Sequence, residues 1–356
     1  MTSARIRLNS GVADSAYARA GVDTGRAERA ISGLVEVLRS IDPGRPSRSV
    51  VGSGHYAAVI ALDDQTGIAL SADGVGSKVI VAEQLERYDT VGIDCIAMNV
   101  NDLVCVGAEP LALLDYIALE DADPDVLRHI AIGLKAGAEQ AGVEIPGGEV
   151  AQLPELIRGH PSPRGFDLAA SAFGTVRLDA LITGDRIAPG DAVIGLPSSG
   201  LHSNGYTLAR RALPDLAEEF GGRTIGDELL EPTVIYVRAA LELIRSHDVH
   251  GLAHITGDGL LNLLRLNPNV GFSIDSPLPV LPVFDLIAER GDVSAEDMWI
   301  TFNMGCGFCC IVPPDQARAA TQLLAAHHPG AVRIGSVTAD AGLVEVPHAG
   351  LSLRRT

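Results

Sequence analysis

Short apolar runs that break at glycine-rich turns and restart with helical spacing limit the folds open to this chain more than any other feature. The run IALSA (68–72) breaks into Asp73-Gly74-Val75-Gly76-Ser77-Lys78, and VEI breaks into Pro146-Gly147-Gly148-Glu149. AVIGLP leads into Ser198-Ser199-Gly200-Leu201-His202-Ser203-Asn204-Gly205-Tyr206, and further glycine turns follow at His254-Ile255-Thr256-Gly257-Asp258-Gly259 and Phe302-Asn303-Met304-Gly305. Runs of this length are strands, and the 3.6-residue periodicity after them marks helices, so sheet and helix layers must pack together. At 356 residues the chain exceeds the ~150 residues of one ordinary core. Its pattern restarts near Leu178, which divides it between about 176 and 185. We expect an α+β protein of two α/β-type domains, residues 1–176 and 177–356, the second a mixed sheet with helices.

The arm up to about Gly25 has weak periodicity and reads as extended. Residues 26–41 read as a helix, with Ile31, Leu34, Val35, Leu38 and Ile41 on one face. Strands are expected at 57–62, 68–72, 111–119 and 166–176, and helices at 78–87, 90–106 and 124–142. In the second half Pro232 is expected to open a helix running through Ser246, and LLNLLRL a short one.

The charge balance then narrows function. A net charge of −18 repels nucleic acid as a whole. No apolar run approaches the ~18–20 residues of a membrane span, and no apolar stretch follows the early arginines as a secretory signal would require. Five cysteines are too few for a disulfide framework, and Cys306–Cys309 has no second pair to complete a zinc site, so free thiols in a reducing cytoplasm are expected. An acidic chain that binds phosphate needs Mg²⁺ to bridge carboxylate to phosphate, which directs attention to carboxylates beside glycine turns.

Several segments meet that description, each with a plainer alternative. The Asp73–Lys78 turn can bring backbone N–H groups of Gly74 and Gly76 to a phosphate, or can be a tight turn capped by Asp73. On the helix at 90–106, Asp94 and Asn101 project within about 20° of one another, with Asp102 one position round. Polar groups on so apolar a helix need partners, either metal and phosphate or a partly exposed face. Glu149 follows a Gly147-Gly148 turn, a weak signal alone. The loop with Ser199, Gly200, His202, Ser203 and Asn204 suits a polar substrate, or is an ordinary capping turn.

Taken together and in order, DGVGSK, YDTVGIDCIAMNVNDLVCVGAEPLALLDY, PGGE, SSGLHSNGYTLARRAL, EPTVIYV, HITGDG and TFNMGCGF resemble the phosphoribosylformylglycinamidine cyclo-ligase (AIR synthetase) family, from about Tyr17-Ala18-Arg19-Ala20-Gly21-Val22-Asp23 to the end. The wider ATP-binding superfamily includes FGAM synthetase, thiamine-monophosphate kinase and selenophosphate synthetase. The resemblance implies a cytoplasmic homodimer whose N-terminal domains pair strands. It implies ATP-dependent ring closure of formylglycinamidine ribonucleotide to aminoimidazole ribonucleotide, with ADP and phosphate, in purine biosynthesis. It also implies Asp73, Asp102 and Glu149 as carboxylates for Mg²⁺ and phosphate, with His202 beside them as a catalytic group. ATP would meet Gly52, Gly54, His55, Gly74, Gly76, Lys78, Asp94, Asn101, Gly147 and Gly148. The ribonucleotide would meet Ser199, Gly200, Ser203, Asn204, Thr256 and Gly257. Where the family usually reads GGFGG this chain has Val51-Gly52-Ser53-Gly54-His55, and Asp258 replaces the middle glycine of a GGG turn. The alternative is a divergent paralogue that uses ATP to activate a related amide or to phosphorylate a small molecule. A silent regulatory subunit is disfavoured by the joint presence of Asp73, Asp102, Glu149 and His202.

Overall fold

The computed structural model describes residues 24–355. The expected extended arm, and the start of the family resemblance at Tyr17, fall outside the described residues up to residue 23. The first half runs α1 (Thr24–Arg39), β1 (Ser49–Val51), β2 (Ala58–Ala61), β3 (Thr66–Gly74), α2 (Val79–Leu85), α3 (Val91–Cys105), β4 (Glu109–Leu119), α4 (Pro124–Ala141), β5 (Glu144–Gln152) and β6 (Phe166–Arg177). Its six strands form one sheet in the order β1-β2-β3-β6-β4-β5. Only β4 and β5, joined through α4, run parallel.

The second half runs β7 (Ala192–Pro197), α5 (Tyr206–Ala212), β8 (Glu219–Phe220), β9 (Arg223–Thr224), α6 (Ile225–Leu229), α7 (Val237–Ser246), β10 (Gly251–His254), β11 (Gly271–Ser273), α8 (Pro282–Gly291), α9 (Ala295–Thr301), β12 (Cys306–Val312), α10 (Ala317–His327), β13 (Val332–Thr338), β14 (Leu343–Val346) and β15 (Leu351–Arg354). Seven of these strands make a second, mixed sheet, β10-β12-β7-β13-β11-β14-β15, while β8 and β9 pair apart as a short hairpin. The expected α+β class with mixed C-terminal sheet is what forms.

Helix α3 joins the halves. It packs on β3, β4 and β6 of the first sheet and on β10 and α7 of the second half. Apolar residues on every face let it do so: Cys95, Ile96, Val100, Leu103 and Val104 are all fully buried. It also approaches α4 more closely than side chains allow, since a Cβ on Gly92 would lie 2.1 Å from the Leu134 nitrogen. Among the described residues no helix is long and apolar enough to cross a membrane, and all five cysteines are buried and unpaired.

Two local expectations are corrected. The segment 232–236 is irregular rather than helical, because polar side chains of α3 take its backbone groups before a helix can. The Gly147-Gly148 pair lies inside β5 rather than ending it. Gly148 is required there because a Cβ would fall 2.3 Å from Asp115 Oδ1 on the neighbouring strand.

Candidate active site

The end of β3, the C-terminal half of α3, the 52–57 loop and the segment from β10 to Arg265 converge between the two halves. Asp73 and Asp102 are close enough that the Asp102 charge acts on Asp73. Burial first, and then that charge, raise the Asp73 carboxyl above the ordinary aspartate range. Asp73 Oδ1 accepts from the Gly74 N–H at 2.7 Å, and its backbone oxygen accepts from Asn99 Nδ2 at 3.1 Å. Asp102 Oδ1 is 3.0 Å from Nδ1 of the buried His254. With that proton on Nδ1, His254 Nε2 can accept from Asn101 Nδ2 at 3.5 Å. His254 thus fixes the orientation of Asp102.

His55 sits near enough for the Asp102 charge to act on it. Burial, and next the charge of Arg265, lower its pKa to about 4, so its ring is neutral at pH 7. Gly52 and Gly54 form an open loop before it, and Gly54 takes φ 117, a conformation suited to glycine. Gly76, at φ 68, brings the 73–78 turn to 3.9 Å (from its would-be Cβ) of the Ser203 oxygen. Gly257 brings its turn against Asn204, whose Oδ1 would lie 3.1 Å from a Cβ there. The Gly76 turn thus meets the 198–205 loop across the two halves, and the Gly257 turn meets the same loop within the second half.

Other expected site residues are committed elsewhere. Lys78, expected at the ATP phosphates, is fully buried. Its Nζ pairs with Asp94 at 2.9 Å and donates to the backbone oxygens of His202 at 3.2 Å and Glu231 at 2.6 Å. An ammonium has three donors, so none is left for a phosphate. Asp94 also accepts from Thr233 N at 2.8 Å, Thr233 Oγ1 at 2.7 Å and Ser203 Oγ at 3.2 Å. Asn101 accepts from Tyr236 N and donates to Val234 O, both at 2.9 Å. Lys78, Asp94 and Asn101 therefore fasten the halves together instead of lining the cleft.

His202, expected to face substrate, is 1% exposed. Its Nε2 accepts from Ser199 N at 3.3 Å, and it sits at φ 63 against Tyr236 and the bare backbone of Gly307. Burial, helped by the charges of His254 and Lys78, lowers its pKa well below the usual value. Polar neighbours in sequence suggested exposure, but Ser199 Oγ turns in to Pro232 O at 2.5 Å, Ser203 turns in to Asp94, and Gly200 O accepts from Asn303 at 2.9 Å. Two groups of this loop keep an unpartnered nitrogen, His202 Nδ1 and Asn204 Nδ2.

Glu149 does not join Asp73 and Asp102. The register sets Asp73, Ala170, Asp115 and Gly148 in one row and Gly74, Ala169, Tyr116 and Glu149 in the next. Alternate rows face opposite ways, and three strand spacings separate β3 from β5, about 14 Å. Gly147, Gly148 and Glu149 thus lie on a distant edge strand, Glu149 on the opposite face. Among the described residues no three His, Cys, Asp or Glu side chains gather as a metal cluster. Asp73 and Asp102 fit Mg²⁺ nonetheless. Mg²⁺ is commonly held by one or two carboxylates plus phosphate oxygens, and a cation relieves the repulsion that raises Asp73.

Three residues were missed. His254 was read only as part of a glycine turn. Asn262 and Arg265 lay in a run read as a short helix, although polar residues three apart among five leucines are a signal. Asn262 Oδ1 accepts from Thr256 N at 2.6 Å and Thr256 Oγ1 at 3.2 Å, ordering that turn. The carboxylate of Asp258 is answered by Arg355 at 2.9 Å.

Both halves of the chain match known proteins. Residues 54–176 match the family described as AIR synthase related protein, N-terminal domain, and 188–346 its C-terminal domain. The chain is 48% identical over 343 residues to a phosphoribosylformylglycinamidine cyclo-ligase of Thermococcus kodakarensis, spanning 95% of this chain and 99% of the relative. It is 48% identical over 339 residues to one of Methanothermobacter thermautotrophicus, spanning 93% and 96%. Among solved structures, the ThiL complex with AMPPCP and TMP superposes with a TM-score of 0.63 at 17% identity, covering 89% of this chain and 92% of that one. Hydrogenase maturation protein HypE in complex with ATP gives 0.58 at 21%, covering 83% and 87%. These two show a shared fold.

Proposed function

The chain belongs to the AIR synthase related family, and from that premise we infer that it closes the imidazole ring of a purine precursor, as its cyclo-ligase relatives are named for doing. It converts formylglycinamidine ribonucleotide and ATP into aminoimidazole ribonucleotide, ADP and phosphate. The end-to-end likeness to the archaeal cyclo-ligases is the observation that carries this reading. The chemistry needs an activated oxygen. The formamide oxygen takes the γ-phosphoryl group from ATP, the amidine nitrogen attacks the carbon, and phosphate leaves with that oxygen as the C–N bond forms. Such a reaction asks the protein chiefly for positioning and charge neutralisation.

Asp73 and Asp102 are the proposed carboxylates for Mg²⁺, which when bound neutralises charge on the transferring phosphoryl group. His254 keeps Asp102 in place, as its hydrogen bond supports. The Gly52–Gly54 loop, His55 and the Gly74–Gly76 turn are proposed to hold nucleotide, and Asn204, Thr256 and Gly257 the ribonucleotide. The open face of the first sheet carries Ile60, Leu114 and Tyr116, each 38–43% exposed, which supports a homodimer closed over that face. Unpaired buried cysteines support a reducing cytoplasm. The proposed domain boundary stays at 176/177, directly before the short turn at Leu178–Ala180 that follows β6.

An assay that follows aminoimidazole ribonucleotide from formylglycinamidine ribonucleotide, ATP and Mg²⁺ tests the reading. Product formed with one ADP per ring is expected. ATP consumption with no ring product would instead favour a paralogue acting on a different amide or alcohol.

A further inference from the structure

Ring closure takes the γ-phosphoryl group of ATP to a substrate that itself carries a 5′-phosphate, in a cleft whose two carboxylates repel both anions. Lys78, the cation expected beside them, has all three donors engaged within the fold. Arg265 is placed otherwise. Its guanidinium lies over the Tyr56 ring, 4.6 Å from the centroid, and its Nη2 donates to His55 O at 3.3 Å. Tyr56 is itself pinned, its hydroxyl donating to Asn262 O at 2.9 Å. Stacking at this distance holds a guanidinium in place while leaving its edge free. A guanidinium has five N–H donors and one is engaged here. Among the described residues Arg265 makes no ion pair, although its charge reaches Asp73 and His55, and it is only partly buried. A guanidinium fixed by stacking, with donors to spare and no carboxylate partner, is able to take an anion from outside.

We propose that Arg265 is a phosphate-binding residue of the cleft, taking two phosphate oxygens of a bound phosphate ester through its free edge. The proposal rests on the reading of this cleft as an ATP-using site, and deepens it. The ester is either the triphosphate of the nucleotide or the 5′-phosphate of the ribonucleotide. Both present the same oxygens, and a guanidinium fork matches them in pairs.

The test is calorimetric titration of the full-length protein with MgATP, with adenosine and with formylglycinamidine ribonucleotide. Arg265→Met is expected to weaken one phosphate ester by about 10–100-fold, the range for hydrogen bonds to charged groups, and to leave adenosine affinity unchanged. Loss toward MgATP assigns the triphosphate, and loss toward the ribonucleotide alone assigns its 5′-phosphate. Unchanged affinity for both overturns the proposal. So does an equal loss toward adenosine, which would reduce Arg265 to a support for Tyr56. Arg265→Lys keeps a cation over the ring but not the paired donors. If Arg265→Met fails to fold, wild-type phosphate affinity in Arg265→Lys overturns the proposal, and a partial loss there upholds it. A wild-type chain that binds phosphate esters yet closes no ring overturns the reading of the reaction, while the comparison with Arg265→Met still decides the residue.

Discussion

Asp73 and His55 show how burial in one cleft moves two titratable groups in opposite directions. The Asp73 carboxyl is raised, so its charged form is disfavoured by the apo fold. Asp73→Asn is therefore expected to keep or raise the melting temperature. It should still lower ATP turnover by about two to three orders of magnitude, as loss of several kcal/mol of metal-assisted stabilisation implies. Asp102→Asn should lose turnover similarly. Near wild-type rates in either variant at saturating Mg²⁺ would remove that residue from the site. His55 gives a pH signature. Its folded pKa of about 4 lies below the unfolded 6.5, so between those values the unfolded chain binds more protons. Stability is full above pH 6.5 and falls as the pH drops toward 4, by up to about 1.4 kcal/mol per unit from this one group. Urea titrations of His55→Gln should show a shallower loss than wild type across that window, and parallel curves would contradict it.

Helix α3 and the 232–236 segment are where an element's role departs from its periodicity. Asp94 and Asn101 share one side of α3, as their spacing requires, but that side meets the second half of the chain rather than a nucleotide. The Lys78–Asp94 pair is wholly desolvated, so removing one partner strands a buried charge. Lys78→Met is expected to cost about 3–5 kcal/mol in chemical denaturation, while Lys78→Met/Asp94→Leu recovers much of it. A loss of ATP affinity in Lys78→Met without any loss of stability would return Lys78 to the nucleotide site. Apolar stripes are likewise ambiguous at this scale. Ile31, Leu34 and Leu38 lie on one face of α1, as expected, yet each is more than half exposed.

At the scale of the molecule, two sheets share one continuous core through α3, and the first sheet leaves an apolar face uncovered. Ile60→Asp/Tyr116→Arg is expected to convert a dimer to a ~37 kDa monomer in sedimentation, with little change in the far-ultraviolet spectrum, because both side chains already face solvent in the isolated chain. A wild-type chain that is monomeric and active at micromolar concentration would contradict the proposed dimer. Much of this architecture was legible in the sequence alone. Apolar periodicity places α3, α4, β4 and β6 within two residues, because it reports how each element meets its own layer. Glycine turns mark where the backbone approaches other groups closely, as at Gly76 and Gly257, because the absence of a side chain is a local property. Which group each polar residue meets is not local. Lys78 reads as a phosphate cation and Arg265 is passed over in an apolar run, and only the packing of the second half against α3 closes three acceptors around the first and leaves the second with none of the carboxylates. Asp102 and Glu149 read alike as carboxylates for one metal, and only the packing of α3 on β3 sets the first beside Asp73 while strand order and register put the second across the sheet from it. Residue spacing within an element decides direction, whereas partners are chosen by chain segments more than a hundred residues apart, and that choice is made by tertiary structure.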